Sequence, residues 1–294
     1  MRLVRFETAR GRLSWGWLPP ADPNTILEPL GAIASRPFEE RLDDIHGLIA
    51  ALAEVDTLAH DLGAVTLLSP IGRPSKIIAV GRNYRAHAAE GGNQVPEEPM
   101  LFGIMPSSIT GPYAPVELPA ISNQIDWEGE LGVVIGRTAR RVPRSAAIHH
   151  IAGYVALNDV SARDLQRKDG QWSRAKSFDT FKPMGPCMTT VDELGLAESL
   201  AISVKVNGVQ KQQATTDLMV FPVAELIEFI SDFCTLLPGD IIATGTPSGA
   251  GMGEKPPRYL NAGDILETEV EGIGRLRNQI VPAGAAVTKE PSFA

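Results

Sequence analysis

Glycine and proline divide the chain into many short apolar runs, and this punctuation limits the folds open to it. Runs of this length, bounded by turn residues, are typical of β-strands. The connections between them are often too short for the helical crossovers of a doubly wound sheet. One apolar stripe at helical spacing, residues 223–237, ends before Pro238 and Gly239, a pair that stops helices. We therefore predict an α+β chain that is mostly β. The predicted strands cover residues 3–18 (one or two strands), 76–81, 131–136, 152–159, 200–208, 240–245 and 264–274.

The N-terminal part of the chain has the pattern of a small separate unit. Apolar residues recur at three- and four-residue steps over residues 43–62, which predicts one helix. The segment of residues 69–74, rich in glycine and proline, is typical of a linker. We place a domain boundary there. The prediction is a small N-terminal α/β domain over residues 1–72, a main body over residues 73–281 and a flexible tail over residues 282–294.

The composition excludes several classes of protein. The chain has 294 residues, of which 44% are hydrophobic and 21% charged, as in globular proteins rather than disordered ones. Its net charge of −8 argues against binding to a nucleic-acid backbone. The sequence has no apolar run of membrane-spanning length, no apolar secretory signal and no cysteine pair spaced for zinc or redox chemistry. These features predict a cytoplasmic protein without membrane or nucleic-acid partners.

Two glutamates stand at the entry to an apolar strand. Residues two apart in a strand point to the same face, so the carboxylates of Glu128 and Glu130 are aimed into one small volume. Like charges that close repel each other unless a cation lies between them. Gly129 allows another group to approach closely. The alternative interpretation is a polar strand edge that faces solvent.

Asp159 ends another predicted strand, where functional groups are often delivered. A turn aspartate after Asn158 is the alternative. Together with Glu128 and Glu130 it offers three carboxylates from two strands. Oxygen ligands of this kind suit Mg²⁺ or Mn²⁺, and the set lacks the histidine and cysteine ligands that zinc prefers.

Three more residues have the chemistry of catalytic groups. His87 and Glu90 are three apart after the strand of residues 76–81, so they share a face of a helical turn. A carboxylate beside an imidazole raises its basicity and fixes its tautomer, as in a base that activates water. Lys176 beside a carboxylate–metal cluster would balance charge and stabilise an enolate. A surface ion pair and a solvated lysine are the alternatives.

Several segments, in this order and spacing, resemble the fumarylacetoacetate hydrolase family over about residues 73–280. The resemblance implies a mixed β-roll with the active site in its mouth, preceded by the variable N-terminal domain that many members carry. The segments are GRNYRAHAAE (81–90), PSSITGP (106–112), DWEGELGVVIG (126–136), NDVSARDLQ (158–166), QWSRAKSFDTFKPMGP (171–186), VNG (206–208) and PGDIIATGTPSGAG (238–251).

The resemblance also implies roles for individual residues and a homodimer. It implies Mg²⁺ or Mn²⁺ held by Glu128, Glu130 and Asp159. One position departs from the family pattern: Ile104 stands where members commonly carry a lysine, so a positive charge near the distal end of the substrate is missing. The implied catalytic residues are His87, Glu90 and Lys176, and the implied substrate contacts are Arg82, Tyr84, Arg163, Gln166, Gly245 and Thr246.

The implied function is divalent-metal-dependent chemistry on a small 2-oxo acid through a metal-stabilised enolate. Our leading prediction is hydrolytic carbon–carbon cleavage of an acylpyruvate such as fumarylacetoacetate or fumarylpyruvate, with water activated by His87. Without water attack, the same site serves isomerisation, tautomerisation or decarboxylation. Residues 171–186 look most like the branch of 2-hydroxyhepta-2,4-diene-1,7-dioate isomerases and oxaloacetate tautomerases. A non-catalytic binding module, supported only by Ile104, is the third alternative.

Overall fold

The computed structural model of the chain describes residues 1–285, so most of the predicted tail, residues 286–294, lies outside the described residues. The described part contains five α-helices and nineteen strands. The helices are α1 (Ile45–Leu52), α2 (Arg85–Glu90), α3 (Arg163–Asp169), α4 (Val191–Leu194) and α5 (Val223–Phe233). The strands are β1 (Arg2–Thr8), β2 (Leu13–Leu18), β3 (Thr25–Pro29), β4 (Thr57–Asp61), β5 (Val65–Leu68), β6 (Ile77–Gly81), β7 (Met100–Ile104), β8 (Ile109–Thr110), β9 (Val116–Glu117), β10 (Ile125–Asp126), β11 (Gly129–Ile135), β12 (Ile151–Asn158), β13 (Ser161–Ala162), β14 (Lys182–Thr190), β15 (Ala201–Val206), β16 (Val209–Thr215), β17 (Ile241–Ala243), β18 (Ile265–Val270) and β19 (Gly274–Val281).

One large mixed sheet organises the described residues. Its strand order is β4-β3-β2-β1-β14-β12-β11-β17-β6-β7, with β5 beside β1 and β8 beside β14. A second, five-stranded sheet has the order β16-β15-β18-β19-β9, and β10 pairs with β13. Strands lie at every predicted run, and α5 begins where the apolar stripe predicts a helix. The predicted α+β, mostly β class is therefore confirmed.

The central strand β11 is buried on both faces of the large sheet. Val133 packs in one apolar cluster with Ile230 of α5, and Val134 packs in another with Leu48 of α1. A strand covered on both sides reads as a continuous apolar run rather than an alternating one. This explains the run of residues 131–136 and places Glu130, at its start, in the interior.

The predicted helix over residues 43–62 is wrong in its second half. Helix α1 ends at Leu52, and the chain turns back to form β4. Strand β4 pairs antiparallel with β3, Thr25 opposite Asp61, so tertiary hydrogen bonding overrides the local helical spacing. The apolar stripe continues through β4 by coincidence, and Leu58 is 47% exposed.

The large sheet runs across the predicted domain boundary at residue 72. Strand β1 pairs with β14 of the main body, Leu3 opposite Met188. The N-terminal amine also donates a hydrogen bond to Thr190 Oγ1 at 2.5 Å. The division into two domains stays a prediction, while strand pairing ties the first 72 residues to the sheet that carries the carboxylates.

Strand register brings the candidate carboxylates together. Strands β11 and β12 are antiparallel with Gly129 opposite Asn158, so the start of one meets the end of the other. Asp159 donates its backbone N–H to the carbonyl oxygen of Glu128 at 2.7 Å. Strands β6 and β17 are parallel, with Ala79 opposite Ala243, so their carboxyl ends deliver the following loops to the same region. No helix among residues 1–285 has the length and apolar character needed to cross a membrane.

A buried carboxylate also stabilises the N-terminal strands. Glu28 on β3 receives hydrogen bonds from Arg12 Nη2 at 2.8 Å and from Ser14, and it lies 2.6 Å from His60 Nε2. Burial alone would raise the pKa of Glu28, but these partners outweigh it and lower the pKa to about 2. The ionised form of this carboxylate therefore favours the folded state.

We expect Glu28→Gln to destabilise the protein by roughly 2–3 kcal/mol at neutral pH and to weaken its sensitivity to acid. The stabilisation from a lowered pKa is complete above the ordinary value of 4.5 and is lost as pH falls toward about 2. Urea denaturation at a series of pH values measures this. Glu40→Gln, at an exposed ion pair with Arg36, is the control. Identical pH dependence in Glu28→Gln and the unmodified protein would contradict the assignment.

Candidate active site

Three carboxylates converge at the junction of β11 and β12. One oxygen from each of Glu128, Glu130 and Asp159 lies within 4.8 Å of the others. All three residues are buried, with exposed fractions of 4%, 2% and 0%. Burying like charges so close together is unfavourable unless cations compensate them. The structure therefore brings the three carboxylates together, as the sequence predicts.

Glu130 is the member of the trio without a cationic contact among residues 1–285. Its Oε2 accepts one hydrogen bond, from the backbone N–H of Gly245 at 2.8 Å. Burial, together with the charges of Asp159 and Glu128, raises the pKa of Glu130 well above its usual range. A hard divalent cation is the partner that relieves this repulsion, and three carboxylate oxygens are the ligands such a cation prefers. The residues present thus fit Mg²⁺ or Mn²⁺.

Arg163 holds Glu128 in its ionised form. It lies at the start of α3 and contacts Glu128 Oε1, while its Nε donates to Asp126 Oδ2 at 2.8 Å and its Nη1 to Gln166 Oε1 at 2.9 Å. Burial would raise the pKa of Glu128, but Arg163 and Lys176 outweigh it and hold the pKa well below its usual range. Arg163 therefore compensates the charge of Glu128 within the protein interior.

Two buried lysines contact Asp159. Lys176 Nζ donates to Asp159 Oδ2 at 2.5 Å and to Glu128 Oε2 at 2.6 Å. Lys182 Nζ lies 2.8 Å from Asp159 Oδ1 and donates to the carbonyl oxygens of Val160 and Phe181. Asp159 Oδ1 accepts no well-aligned hydrogen bond within the described residues, so its partner is the charge of Lys182. Burial lowers the pKa of Lys182, and Asp159 opposes this.

His87 and Glu90 lie on α2 at the side of the carboxylates. His87 Nδ1 is 3.3 Å from Glu90 Oε2, and Nε2 is 3.9 Å from Glu128 Oε1. Glu90 Oε1 accepts the backbone N–H of Gly249 at 2.9 Å, which fixes the carboxylate behind the imidazole. The pair has the arrangement of an oriented general base with its second nitrogen directed toward the carboxylates.

Two glycines permit the close approaches on which the site depends. Gly245 has φ +95°, and a Cβ there would lie 2.8 Å from Asn83 Cβ, so only glycine brings its N–H to Glu130 without strain. A Cβ at Gly129 would lie 2.3 Å from Val204 Cγ2. The predicted close approach at Gly129 is therefore packing against the five-stranded sheet.

A cavity of about 350 Å³ opens above the carboxylates. Of the residues singled out in the sequence, eight line it: Arg82, His87, Glu128, Glu130, Arg163, Gln166, Lys176 and Thr246. Glu90, Asp159 and Gly245 lie behind the wall and act on residues that line it. The structure thus gathers nearly all of the predicted site residues around one volume.

Two further positions singled out in the sequence, Tyr84 and Ile104, lie in the core and do not line the cavity in the described part of the chain. Tyr84 is 2% exposed, packs in the core and leaves its hydroxyl without a hydrogen-bond partner among residues 1–285. Ile104 is 3% exposed and packs with Ile77 and Val134. Ile104 therefore lies in the core rather than on the cavity wall.

Several residues at this site were not predicted from the sequence. Lys182 places a charge at the start of an otherwise uncharged, buried strand, and that mismatch was the available signal. Trp172 and Phe102 meet edge to face at 5.2 Å on the cavity wall, and Arg82 lies over the Trp172 ring at 5.8 Å. Nothing in the local sequence predicts these contacts, because they join segments far apart in the chain.

Comparisons with known proteins agree with this architecture. The family model described as fumarylacetoacetate (FAA) hydrolase C-terminal matches residues 76–281. A mitochondrial oxaloacetate tautomerase from Xenopus laevis is 39% identical over 290 residues, which cover 96% of this chain and 90% of that protein. A mitochondrial oxaloacetate tautomerase from Homo sapiens is 45% identical over 219 residues, which cover 74% of this chain and 70% of the relative.

Solved structures match nearly the whole chain. A 2-hydroxyhepta-2,4-diene-1,7-dioate isomerase from Mycobacterium marinum is 35% identical, with a TM-score of 0.77, and the match covers 97% of this chain and 99% of the other. A fumarylacetoacetate hydrolase from Exiguobacterium antarcticum is also 35% identical, with a TM-score of 0.80 and coverage of 96% and 99%. The similarity includes the N-terminal residues that the family model leaves out.

We expect Glu130→Gln to stabilise the metal-free protein at neutral pH, because it removes a buried carboxylate with a raised pKa. Glutamine still accepts the Gly245 N–H. The same substitution should abolish Mn²⁺ binding. Urea denaturation in EDTA and Mn²⁺ titration calorimetry measure the two effects. Glu225→Gln, at a surface ion pair with Arg144, is the control. A destabilised variant that binds Mn²⁺ normally would contradict this role of Glu130.

Proposed function

The chain belongs to the fumarylacetoacetate hydrolase family, and from this premise we propose that it is a divalent-metal-dependent tautomerase or isomerase of a small 2-oxo acid. Oxaloacetate is the first substrate to test. The observation that carries the proposal is the buried carboxylate trio, with Lys176 and His87 facing the same cavity. Relatives named as oxaloacetate tautomerases and a neighbouring structure named as an isomerase support it over hydrolysis.

The proposed cofactor is Mg²⁺ or Mn²⁺, held by Glu128, Glu130 and Asp159. Such an ion, when bound, stabilises negative charge on the oxygen of a carbonyl group as a Lewis acid. The protein prepares its carboxylates to act as ligands, because Arg163 and Lys176 keep Glu128 ionised. The burial of the trio keeps competing water away from the ligands.

Lys176 is the proposed electrostatic partner of the enolate. Its side chain is 2% exposed, lies on the cavity wall and is fixed by Glu128 and Asp159. When a 2-oxo acid loses a proton from C3, negative charge develops on the C2 oxygen. A preorganised cation beside that oxygen lowers the barrier, and removal of one such donor costs about 3 kcal/mol.

His87 is the proposed proton carrier. In the proposal its Nε2, which lies near Glu128, takes the C3 proton of the keto form, and the imidazolium that results gives a proton to the C2 oxygen to form the enol. Glu90, fixed by the Gly249 N–H, supports the charged imidazole that forms. Tautomerisation needs these two proton transfers and no attacking water. One histidine that faces the cavity is therefore sufficient for it.

The cavity wall combines apolar side chains with polar ones. Trp172, Phe102 and Met252 give it an apolar side, while Arg82 and Gln166 offer hydrogen-bond donors. A volume of about 350 Å³ lies in the range of small-molecule sites. A cavity of this volume has room for 2-oxo dioates longer than oxaloacetate, the substrates of the isomerase alternative.

Hydrolytic carbon–carbon cleavage of an acylpyruvate is the second candidate. The oriented His87–Glu90 pair is also suited to activating water, and the hydrolase from Exiguobacterium antarcticum shares the fold. Decarboxylation of oxaloacetate uses the same stabilised enolate. A homodimer and a cytoplasmic location stay predictions from the sequence.

Product analysis separates these reactions. The purified protein is incubated with enol-oxaloacetate and, separately, with acylpyruvates, in Mg²⁺ and in EDTA. Loss of the enol absorbance without release of pyruvate or carbon dioxide, dependent on Mg²⁺, is the expected result. Free pyruvate from an acylpyruvate, without accelerated enol loss, would replace the proposal with the hydrolase. Equal rates in Mg²⁺ and EDTA would overturn the metal requirement.

We expect His87→Ala to lower kcat for tautomerisation by about 10²-fold or more, because a positioned base contributes on that scale. Its Mn²⁺ affinity should be nearly unchanged, since His87 is not among the proposed ligands. Steady-state kinetics and Mn²⁺ titration test the two statements. His46→Ala, at an exposed histidine of α1, is the matched control. Loss of Mn²⁺ binding with His87→Ala would contradict the role given to this residue.

A further inference from the structure

Lys182 is a buried charge for which the proposed reaction has no direct use. It is the first residue of β14 and is 1% exposed. The cavity lining does not include it, so it does not touch a substrate held there. An isolated ammonium in such a place is costly, and an apolar residue would satisfy the strand pattern. Its retention in the interior calls for a physical role.

The Lys182 ammonium group contacts Asp159 and two backbone carbonyl oxygens near it. Its Nζ is 2.8 Å from Asp159 Oδ1, 3.2 Å from the carbonyl oxygen of Val160 and 3.0 Å from that of Phe181. The two carbonyl oxygens accept hydrogen bonds from the ammonium group, and the Asp159 carboxylate pairs with its charge. The opposite oxygen of Asp159 is held by Lys176. Asp159 is therefore fixed from both sides by cations.

A count of the buried charges shows what Lys182 adds. The cluster holds four carboxylates and three basic side chains, each counted here as positively charged. With all carboxylates ionised, it carries one net negative charge, which a divalent ion turns into one net positive charge. Without Lys182 the loaded cluster would be neutral. The carboxylates are Asp126, Glu128, Glu130 and Asp159, and the cations are Arg163, Lys176 and Lys182.

We propose that Lys182 is a positioning residue that acts through Asp159: it occupies one oxygen of this ligand and leaves the metal-loaded site positive enough to bind an anionic 2-oxo acid. The inference rests on the proposed function, since it concerns the same trio. It predicts a trade-off. The charge of Lys182 weakens the attraction of the trio for a divalent cation and strengthens the attraction of the loaded site for an anion.

The test measures the two affinities separately, without turnover. Mn²⁺ is titrated into the metal-free protein, and oxalate, a chelating dianion, is titrated into the Mn²⁺-saturated protein. Lys182→Met should bind Mn²⁺ about threefold to tenfold more tightly and oxalate about tenfold more weakly. Lys76→Met is the matched control: Lys76 also pairs with a buried carboxylate, Asp240, but outside the cavity, and both affinities should stay unchanged.

A merely structural role predicts a different pattern. If Lys182 only shapes Asp159, both affinities fall together, and this result overturns the proposal, as does an unchanged oxalate affinity. Lys182→Gln keeps donors for the two carbonyl groups without the charge, so it carries the test if Lys182→Met fails to fold. Failure of the unmodified protein to bind Mn²⁺ would overturn the proposed function as well. Normal Mn²⁺ binding without the opposed shifts would overturn only the role of Lys182.

Discussion

The burial of several carboxylates in one small volume is the constraint on which the rest of the structure depends. Their repulsion would exclude them from the interior without compensation. Arg163 and the two lysines compensate most of it, and Glu130 is left with a single backbone hydrogen bond. The charges of this cluster nearly cancel, and Glu130 is the carboxylate left without a cationic partner in the described part of the chain. A divalent cation suits that position. The proposed metal binding and the proposed chemistry both depend on this residual negative charge.

The sheet makes this cluster possible because its strands are covered on both faces. Strand ends can place polar groups in the interior only where neighbouring elements supply hydrogen bonds. Strand β12 ends beside the start of β11, and the Gly245 turn after β17 closes the third side. The N-terminal strands extend the same sheet through β14, the strand that begins with Lys182. Scaffold and site are thus parts of one hydrogen-bonded system.

Much of this was predictable from sequence, for reasons of periodicity and chemistry. The spacing of Glu128 and Glu130 at the entry to a strand predicted their shared direction, and the apolar runs predicted the strands. The helix over residues 43–62 was not predictable correctly, since pairing of β4 with β3 decides the structure there. The ion pair between Lys182 and Asp159 joins two strand ends through tertiary packing, which no local pattern encodes. The sequence also favoured hydrolysis, because a histidine–glutamate pair suits water activation as well as proton transfer at carbon.

Glu128, Glu130, Lys176 and His87 line one cavity, and Asp159 lies directly behind its wall. In the proposed function the three carboxylates bind a divalent cation, Lys176 faces the developing charge and His87 transfers the proton. Anomalous X-ray scattering from crystals soaked with Mn²⁺ and oxalate tests the proposed metal centre most directly. We predict a single strong anomalous peak from one Mn²⁺ ion coordinated by Glu128, Glu130 and Asp159, with oxalate completing its coordination on the cavity side. A manganese peak elsewhere, or an empty trio with Lys176 still bridging Glu128 and Asp159, would contradict this function.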